Sequence, residues 1–451
     1  MTQPHVFPFY RALPRLVKDP VTELARMGTE AGGRVVRLDI GPFRPYLVSH
    51  PDHVQQVLKT EWSNFVREGM FWRPLRRVLG HSVFSEGDPW ESSRKILKPL
   101  FTAKYTASLG ESLADIIAES MDELDEHART GRPVDGGYQM MTITNQAVVQ
   151  VLFGGHISRD TAERLIPEFA TCATSIHFRL LLPFAPYSVR VPGDRRFLAA
   201  VKKIDDIVLP IIERTGAEAD TGAKEVVSAL MRARVGQDGR ADVGQIRDDL
   251  VNVYGAATET TAMSLTWLWA VLHENPEVND RLHQEIDDVV GDGPVRPAHV
   301  PRLTFLRMVL QEVLRVHPPG WIIPRQAVAD TEIGGVRIKA GSQVLVSPYT
   351  THRLPEFWDR PHEFDPERWS PEREERRHPF AFLPFGGGPH VCLGRHLYYL
   401  EAPLVIANVL SRYRQVLTNP QRLTPVPGAS VRPKEKLMLR LTPKRPAAGL
   451  A

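Results

Sequence analysis

Cysteine is nearly absent from this chain. Its 451 residues include only two, Cys172 and Cys392, far apart in sequence. That excludes a disulfide framework and a four-cysteine zinc site, and it fits a reducing compartment. An excess of charge of one sign is also missing. Lys and Arg number 56 against 53 Asp and Glu, a net charge of +3, so nothing marks a general nucleic-acid-binding surface. No apolar run reaches the length needed to span a bilayer, and the N-terminus has no signal-peptide core. We therefore expect a soluble, cytoplasmic, monomeric protein without a membrane anchor. No internal repeat or linker is seen. What is present is a 42% hydrophobic composition, enough for a sizeable core. The length admits one large domain or two or three smaller ones.

Residues 1–20 read as an irregular segment, broken by proline and carrying Arg11, Arg15 and Lys18. Residues 443–451 read as a disordered tail. Residues 34–40, a turn at Gly41-Pro42 and residues 45–48 read as a small hairpin. A helix is expected over 52–59, and most of residues 90–315 has helical character. A strand-rich patch covers 333–346, with Gly334-Gly335 and Ala340-Gly341 as turns. The mixture predicts one mainly α domain over 1–451 with small β-sheets. One helix stands out, starting at Asp242 or Val243 and ending before Pro276. At ~1.5 Å per residue it is about 45 Å long. From residue 251 to 272 it is apolar nearly all round, the mark of a buried or membrane-spanning helix. Thr258, Glu259, Thr260 and Thr261 interrupt that run and favour a buried core helix.

The most informative stretch is Phe385-Gly386-Gly387-Gly388-Pro389-His390-Val391-Cys392-Leu393-Gly394. It is a glycine-rich loop that delivers one cysteine to the start of a helix. That helix is expected near Arg395, with Leu397, Leu400, Leu404 and Val405 along it. The positive end of a helix and its unpaired N–H groups keep a sulfur there ionised. The three glycines let backbone approach a large flat partner. A thiolate presented this way suits an axial ligand to haem iron. Taken alone, however, a lone cysteine is usually a small buried hydrophobe, and a glycine-rich loop before a helix also suits phosphate.

The spacing Phe-x-x-Gly-x-x-x-Cys-x-Gly, filled by Phe385, Gly388, Cys392 and Gly394, resembles the signature of the cytochrome P-450 family, the haem-thiolate monooxygenases. Further motifs point the same way. Ala256-Ala257-Thr258-Glu259-Thr260-Thr261 places an acid beside a hydroxyl in an apolar helix, costly unless both are hydrogen-bonded. It is similar to the family's oxygen-binding segment, with Ala257 where glycine is common. The resemblance implies that Thr260 hydrogen-bonds dioxygen and Glu259 helps to deliver protons. It also implies that Ala256 and Ala257 leave room beside the haem. Glu312 and Arg315, spaced Glu-x-x-Arg, and Arg368 in Phe-Asp-Pro-Glu-Arg-Trp resemble the family's structural triad beneath the haem loop, a folding role. Trp90 and Arg94, four apart on one helical face, resemble the family's propionate-binding pair. Arg325 and His390 occupy further propionate positions, where haem carboxylates need cationic donors. Pro403 is not explained by the resemblance. Inside the helix after Cys392 it removes a hydrogen bond and predicts a local kink.

The resemblance covers the chain from Trp90 to the last strands. It implies the family's single triangular helical domain, with haem b between the long oxygen-binding helix and the cysteine helix, in its soluble bacterial form. It also implies that O2 is activated with two electrons from NAD(P)H and that a lipophilic small molecule is hydroxylated or otherwise oxidised. The thiolate sulfur favours O–O cleavage. Only 59 residues follow Cys392, too few for a fused flavin or iron–sulfur domain. A ferredoxin and its reductase are therefore the expected electron source, with Lys95, Lys98, Lys104 and Arg395 as a docking face. Segments at family substrate-contact positions are 69–72, 178–184, 253–257, 321–323 and 428–431. They contribute Met70, Phe71, Trp72, Leu181, Val253, Ala257, Trp321, Ile322 and Ile323, and Arg179 is the one charge inside them. An apolar pocket suits a terpenoid first, or a fatty acyl chain, steroid or macrolide of bacterial secondary metabolism.

Three other readings fit the sequence less well. A peroxygenase or dehydratase-like member of the family commonly lacks the acid–alcohol pair that Glu259 and Thr260 supply. A non-catalytic haem sensor needs no proton relay. A cysteine hydrolase using Cys392 and His390 has poor general-base spacing and no third orienting group. The haem-thiolate reading has a direct spectroscopic check. The purified protein should be red, and its reduced carbon monoxide complex should show the red-shifted Soret band of thiolate ligation. A band at the position of imidazole ligation would overturn the assignment.

Overall fold

The computed structural model describes residues 3–39, 43–176, 179, 185–217, 224–236, 239–374, 377–419 and 423–444. The expected Gly41-Pro42 turn, Leu181 and nearly all of the expected tail lie outside them. In chain order the strands are β1 His5–Val6, β2 Val36–Arg37, β3 Tyr46–Val48, β4 Phe65–Val66, β5 Val134–Asp135, β6 Ile323–Ala327, β7 Thr331–Ile333, β8 Val336–Ile338, β9 Gln343–Val346, β10 Tyr413–Leu417, β11 Pro425–Val426, β12 Arg432–Pro433 and β13 Met438–Pro443. Helices include α1 Trp72–Leu79, α2 Asp88–Leu97, α3 Gly136–Phe153, α4 Leu165–Ser175, α5 Asp194–Ala217, α6 Val226–Ala233, α7 Val243–Glu274, α8 Thr304–Val316 and α9 Arg395–Arg412. The architecture is mainly helical with small sheets, as the sequence predicts, but the segment 1–20 expected to be irregular holds a helix over Phe9–Lys18 that continues through Pro14. Two compact units are distinguished.

The first unit comprises Met1–Phe71, Phe305–Cys392 and Gln421–Glu435. Its six-stranded sheet has the order β1-β2-β3-β9-β6-β4. The expected hairpin is the antiparallel β2–β3 pair, and β3 then pairs in parallel with β9. All four residues of β9 are buried, as a central strand covered on both faces requires. Val48, Phe65, Val344, Val346, Phe380 and Leu383 share one apolar core with this sheet. β7 and β8 form a hairpin turned by Gly334 and Gly335, both at positive φ. The helix expected over 52–59 is a short α-helix, Pro51–Gln55, that widens into a π-helical turn over Gln56–Thr60.

The second unit comprises Trp72–Thr304, Leu393–Pro420 and Lys436–Ala451. Its axis is α7, 32 residues long. Asp242 caps its start by accepting from the Gln245 N–H, and it ends at Asn275, before Pro276. It packs along α3 and also against α5 and α6. From Val251 to Leu272 it is buried, except at Gly255, Ala256, Ala257, Glu259 and Thr260, which are half-buried. Among the described residues no helix is long and apolar enough to cross a membrane. α9 begins at Arg395 as predicted and remains helical through Pro403 to Arg412, so the expected kink does not break it. Ser264 of α7 hydrogen-bonds the Tyr398 hydroxyl of α9 at 3.1 Å.

Arg179 departs from its expected place in a substrate segment. It is buried and forks onto both oxygens of Asp194, at 2.5 and 3.2 Å. It also donates to the carbonyls of Ala185, Pro186 and Val189. Arg77 of α1 donates to the same carboxylate at 2.7 Å. The two arginines hold the Asp194 carboxyl far below the usual carboxylate range. All the donors of this fork that hydrogen-bond are spent on protein groups, so Arg179 closes a turn and is not a charge offered to substrate.

Candidate active site

Glu312 organises the first unit. Placed on α8 with its side chain fully buried, its carboxylate needs several donors to repay the loss of water. It has five. Arg315 forks onto both oxygens at 2.8 Å each, and Arg368 Nε reaches Oε1 at 3.3 Å. The Trp369 indole N–H and the Asp365 backbone N–H supply the rest, each at 3.0 Å. The remaining arginine donors bind backbone. Arg315 holds the carbonyls of His352, Pro361 and Glu363, and Arg368 those of Asp359 and Arg360. Arg360 is the one non-glycine residue at positive φ among those described, and its carbonyl is one that Arg368 captures. Glu312, Arg315 and Arg368 thus meet as a hydrogen-bonded triad that pins residues 352–369.

Two members of this network had no motif to reveal them. His352 is fully buried; its Nδ1 lies 3.2 Å from the Arg315 carbonyl, and its Nε2 accepts from the Leu383 N–H at 3.0 Å. A neutral ring with the proton on Nδ1 satisfies both contacts. Burial pushes the imidazole down to about 3. Arg377 lies 4.5 Å from the rings of both Trp358 and Trp369 and donates to the Arg368 carbonyl. Through His352 the triad reaches the residue that opens the cysteine loop.

That loop is a tight turn. The Gly386 N–H donates to Leu383, Val391 to Gly388, and Cys392 to Phe385 at 2.9 Å. Its glycines have different reasons. Gly388 is at φ +66°, and a Cβ there would lie 1.8 Å from the Leu58 carbonyl oxygen. A Cβ on Gly387 would meet the Phe380 ring at 2.6 Å. These two are spent on packing within the unit, a correction to the reading that all three admit a flat partner. Only at Gly386 is the space open, with nothing nearer than Ile323 Cδ1 at 3.9 Å. Gly394 is the N-cap of α9 at φ −74°, a conformation open to any residue. Phe385 is half-buried. Cys392 is exposed, two residues before that N-cap. Cys172 is the opposite case, buried with its thiol pushed up to about 12. The small-hydrophobe reading of a lone cysteine describes Cys172 and not Cys392.

Arg325 lies on β6 opposite Val344 and is buried. His390 is buried with its ring edge-on to Trp62 at 5.5 Å. In the second unit, Trp90 and Arg94 share a face of α2, with the guanidinium 5.9 Å from the indole ring. Glu259 and Thr260 sit in the half-buried window of α7, beside Ala256 and Ala257. The Thr260 hydroxyl donates to the Ala256 carbonyl at 2.7 Å, the back-bond open to threonine within a helix.

The proposed substrate wall is placed unevenly. Met70, Phe71, Trp72, Ile322 and Ile323 are half-buried, while Val253 and Trp321 are buried. Trp321 is fixed, donating its indole N–H to the Gly428 carbonyl at 3.2 Å. With the Val431 N–H bound to Pro319, this brings the 321–323 and 428–431 segments together. Phe71 faces Phe43, and Trp72 stacks on Phe84 at 5.9 Å.

Comparison with known proteins agrees with this geometry. The Cytochrome P-450 family model matches residues 2–441. Cyclooctatin synthase of Streptomyces melanosporofaciens is 32% identical over 95% of this chain and 91% of its own length. Cyclooctat-9-en-7-ol 5-monooxygenase of the same organism is also 32% identical, over 95% and 91%. The crystal structure of the cytochrome P450DA heme domain superposes with a TM-score of 0.85, covering 99% of both chains at 22% identity, and shares the fold. The chain belongs to the cytochrome P-450 family and is an oxidoreductase of that family. The family implies a haem held by a cysteine thiolate and the use of O2. The residues present fit such a group: Cys392 is exposed at a helix start, and the loop is open at Gly386.

Two outcomes follow from the Glu312 network. Arg368→Ala takes one of two cationic partners from the buried Glu312 carboxylate and the donors from the Asp359 and Arg360 carbonyls, at a cost of about 3–5 kcal/mol. The variant should lose haem, read as haem absorbance per protein; a stable holoprotein would remove the triad's role. His352 makes stability pH-dependent. Its folded-state pKa is depressed from 6.5 to about 3, so the unfolded chain takes up the proton first as pH falls below 6.5. Stability is fully present above that point and declines toward pH 3, by at most about 1.4 kcal/mol per pH unit from this group. Denaturant unfolding at pH 7 and at pH 4.5 should show the loss, and His352→Asn should show a smaller one. Equal losses would remove His352 as the cause.

Proposed function

We propose that this chain is a monooxygenase that inserts one atom of O2 into a cyclic terpenoid, using electrons from a ferredoxin and its NAD(P)H-dependent reductase. The family match over residues 2–441 supports treating both units as parts of a single domain. The observation that carries the reading is the half-buried window of α7, where Glu259 and Thr260 stand in a stretch, 251–272, that is otherwise buried. When bound, a thiolate-ligated haem b supplies the activation of O2 and the cleavage of its O–O bond.

The chain's own residues do the rest. Cys392 holds the sulfur, and the start of α9 favours its ionised form. Thr260 has its hydroxyl hydrogen on the Ala256 carbonyl, so its oxygen lone pairs face outward as acceptors. It holds a proton-bearing oxygen in place rather than surrendering its own proton. Glu259, beside it, is the group that passes protons inward. Trp90 and Arg94 in the second unit, and Arg325 and His390 in the first, are the residues that would hold carboxylates of the haem. In the first unit Trp321, tied to Gly428, is a fixed apolar group that excludes water, with Ile322 and Ile323 following it; in the second unit Val253 of α7 is a further apolar candidate. Such groups suit a rigid hydrocarbon, and the name of one relative specifies oxidation of cyclooctat-9-en-7-ol.

Lys95, Lys98, Lys104 and Arg395 are all exposed. Lys98 and Lys104 sit on short helices, Lys98–Phe101 and Ala103–Ser108, that pack against α9. A basic face over the ligand helix supports docking of an acidic ferredoxin.

A spectral-shift screen tests the substrate class. Cyclic terpene hydrocarbons and alcohols should displace the ferric water signature. Fatty acids, steroids and macrolides should do so weakly, and the reverse order would overturn the terpenoid reading. Thr260→Ala should keep oxygen uptake while diverting electrons to peroxide, with product falling roughly tenfold or more, within the range typical of positioned proton transfer. Unchanged coupling would remove Thr260 from proton handling.

A further inference from the structure

We propose that Ser93 and Asp249 are positioning residues: they lock α2 onto the first turns of α7 and so aim Arg94 at a haem carboxylate. The inference rests on the reading of Trp90 and Arg94 as carboxylate donors to the haem. Asp249 and Ser93 are both fully buried. Asp249 Oδ1 accepts from the Ser93 hydroxyl at 2.5 Å and from the Ser82 hydroxyl at 2.6 Å. Its Oδ2 accepts from Arg234 Nε and Nη2, at 3.1 and 2.7 Å. Arg234 also donates to Ser93 and Ser92 at 2.8 Å each. Two consecutive residues of α2 are therefore held by one buried ion pair based on α7 and the segment after α6.

The end of α1 and the loop that leads from it into α2 are held by the same stretch of α7. Arg247 donates to the Val78 carbonyl, Asn252 to Leu79 and Gln245 to His81. The His81 N–H donates to Asp248. At Gly80, φ +60°, a Cβ would lie 2.0 Å from the Asp248 carboxylate. By contrast, α2 has no side-chain cap of its own; its N-cap is Gly87 at φ +65°. α2 is seated by its buried Trp90 and Leu97 and by the hydrogen bonds of Ser92 and Ser93 to Arg234 and Asp249, and it is these polar bonds that have a fixed direction. Ser93 immediately precedes Arg94, so the rotation that seats Ser93 on Asp249 also sets the direction of Arg94. Trp90, one turn earlier, lies on the same face as Arg94. A buried ion pair is a poor source of stability compared with apolar packing, and its best-attested use is to fix register. Here the register is that of the carboxylate clamp on the helix that carries Glu259 and Thr260.

The test uses the full-length holoprotein and follows haem transfer to excess apomyoglobin, alongside thermal unfolding. Arg94→Ala should release haem about tenfold faster, the scale of one charge-assisted hydrogen bond. Ser93→Ala should release it several-fold faster, and Ser93→Thr, which keeps the hydroxyl, should restore the wild-type rate. The double variant Ser93→Ala/Arg94→Ala should be no faster than Arg94→Ala alone, because Ser93 acts through Arg94. Ser82→Ala removes an equivalent bond from Asp249 without touching α2, and should lower the melting temperature while leaving haem release unchanged. If Arg94→Ala leaves release unchanged, the carboxylate-donor reading fails, and this inference with it. If Arg94→Ala is fast but Ser93→Ala is unchanged, is additive with it, or is matched by Ser82→Ala, the positioning role alone is overturned.

Discussion

A single carboxylate, that of Glu312, is the constraint on which the ligand side of this protein depends. An ion with no access to water must be surrounded by donors, and Glu312 recruits five from four residues. The arginines that neutralise it have donors to spare, and these capture backbone carbonyls from His352 to Glu363. A stretch with little regular structure is thereby given one conformation. His352 transmits that order to Leu383, and the turn from Leu383 to Cys392 follows. Cys392 is positioned by a chain of polar contacts that begins about 80 residues earlier in sequence.

The second unit solves a different problem with one long helix. α7 is a rod whose burial is relieved at a short window. Its first turns hold the loop before α2 and, through Asp249, α2 itself. Its middle carries the acid–alcohol pair, and Ser264 ties its second half to α9. A helix this long transmits position faithfully, because its own hydrogen bonds fix every residue relative to the others. Groups that must cooperate can then be spaced along it without mutual contact.

Polar burial recurs in both units, and it is not uniform in purpose. Asp194 with its two arginines closes a turn. Glu312 orders a meandering segment. Asp249 joins helices. In each case the ions are satisfied by several hydrogen bonds, which is the condition under which burial is tolerated. Removing one partner is costly, so each cluster is an all-or-none element of the fold.

Much of this was legible in the sequence. Periodicity and end signals located α7 within a residue at its start, because Asp242 is a cap and Pro276 a stop, and both act locally. The meeting of Glu312, Arg315 and Arg368 was legible through the resemblance of their motifs, and their hydrogen bonds are seen. The parts that escaped depend on contacts between distant segments. Arg179 read as a charge near substrate until Asp194 and Arg77 were brought beside it. Gly387 and Gly388 read as clearance for a flat partner until Phe380 and the Leu58 carbonyl occupied that space. His352, Arg377 and Asp249 carry no motif, since an ordinary residue becomes special only through what surrounds it. The sequence by itself determined the helical class and the family, because those follow from local pattern and motif spacing. Only the tertiary structure decided which charges are structural, which glycines are packing and which serines are buried against an ion pair, because burial and hydrogen-bond partners are properties of the folded neighbourhood.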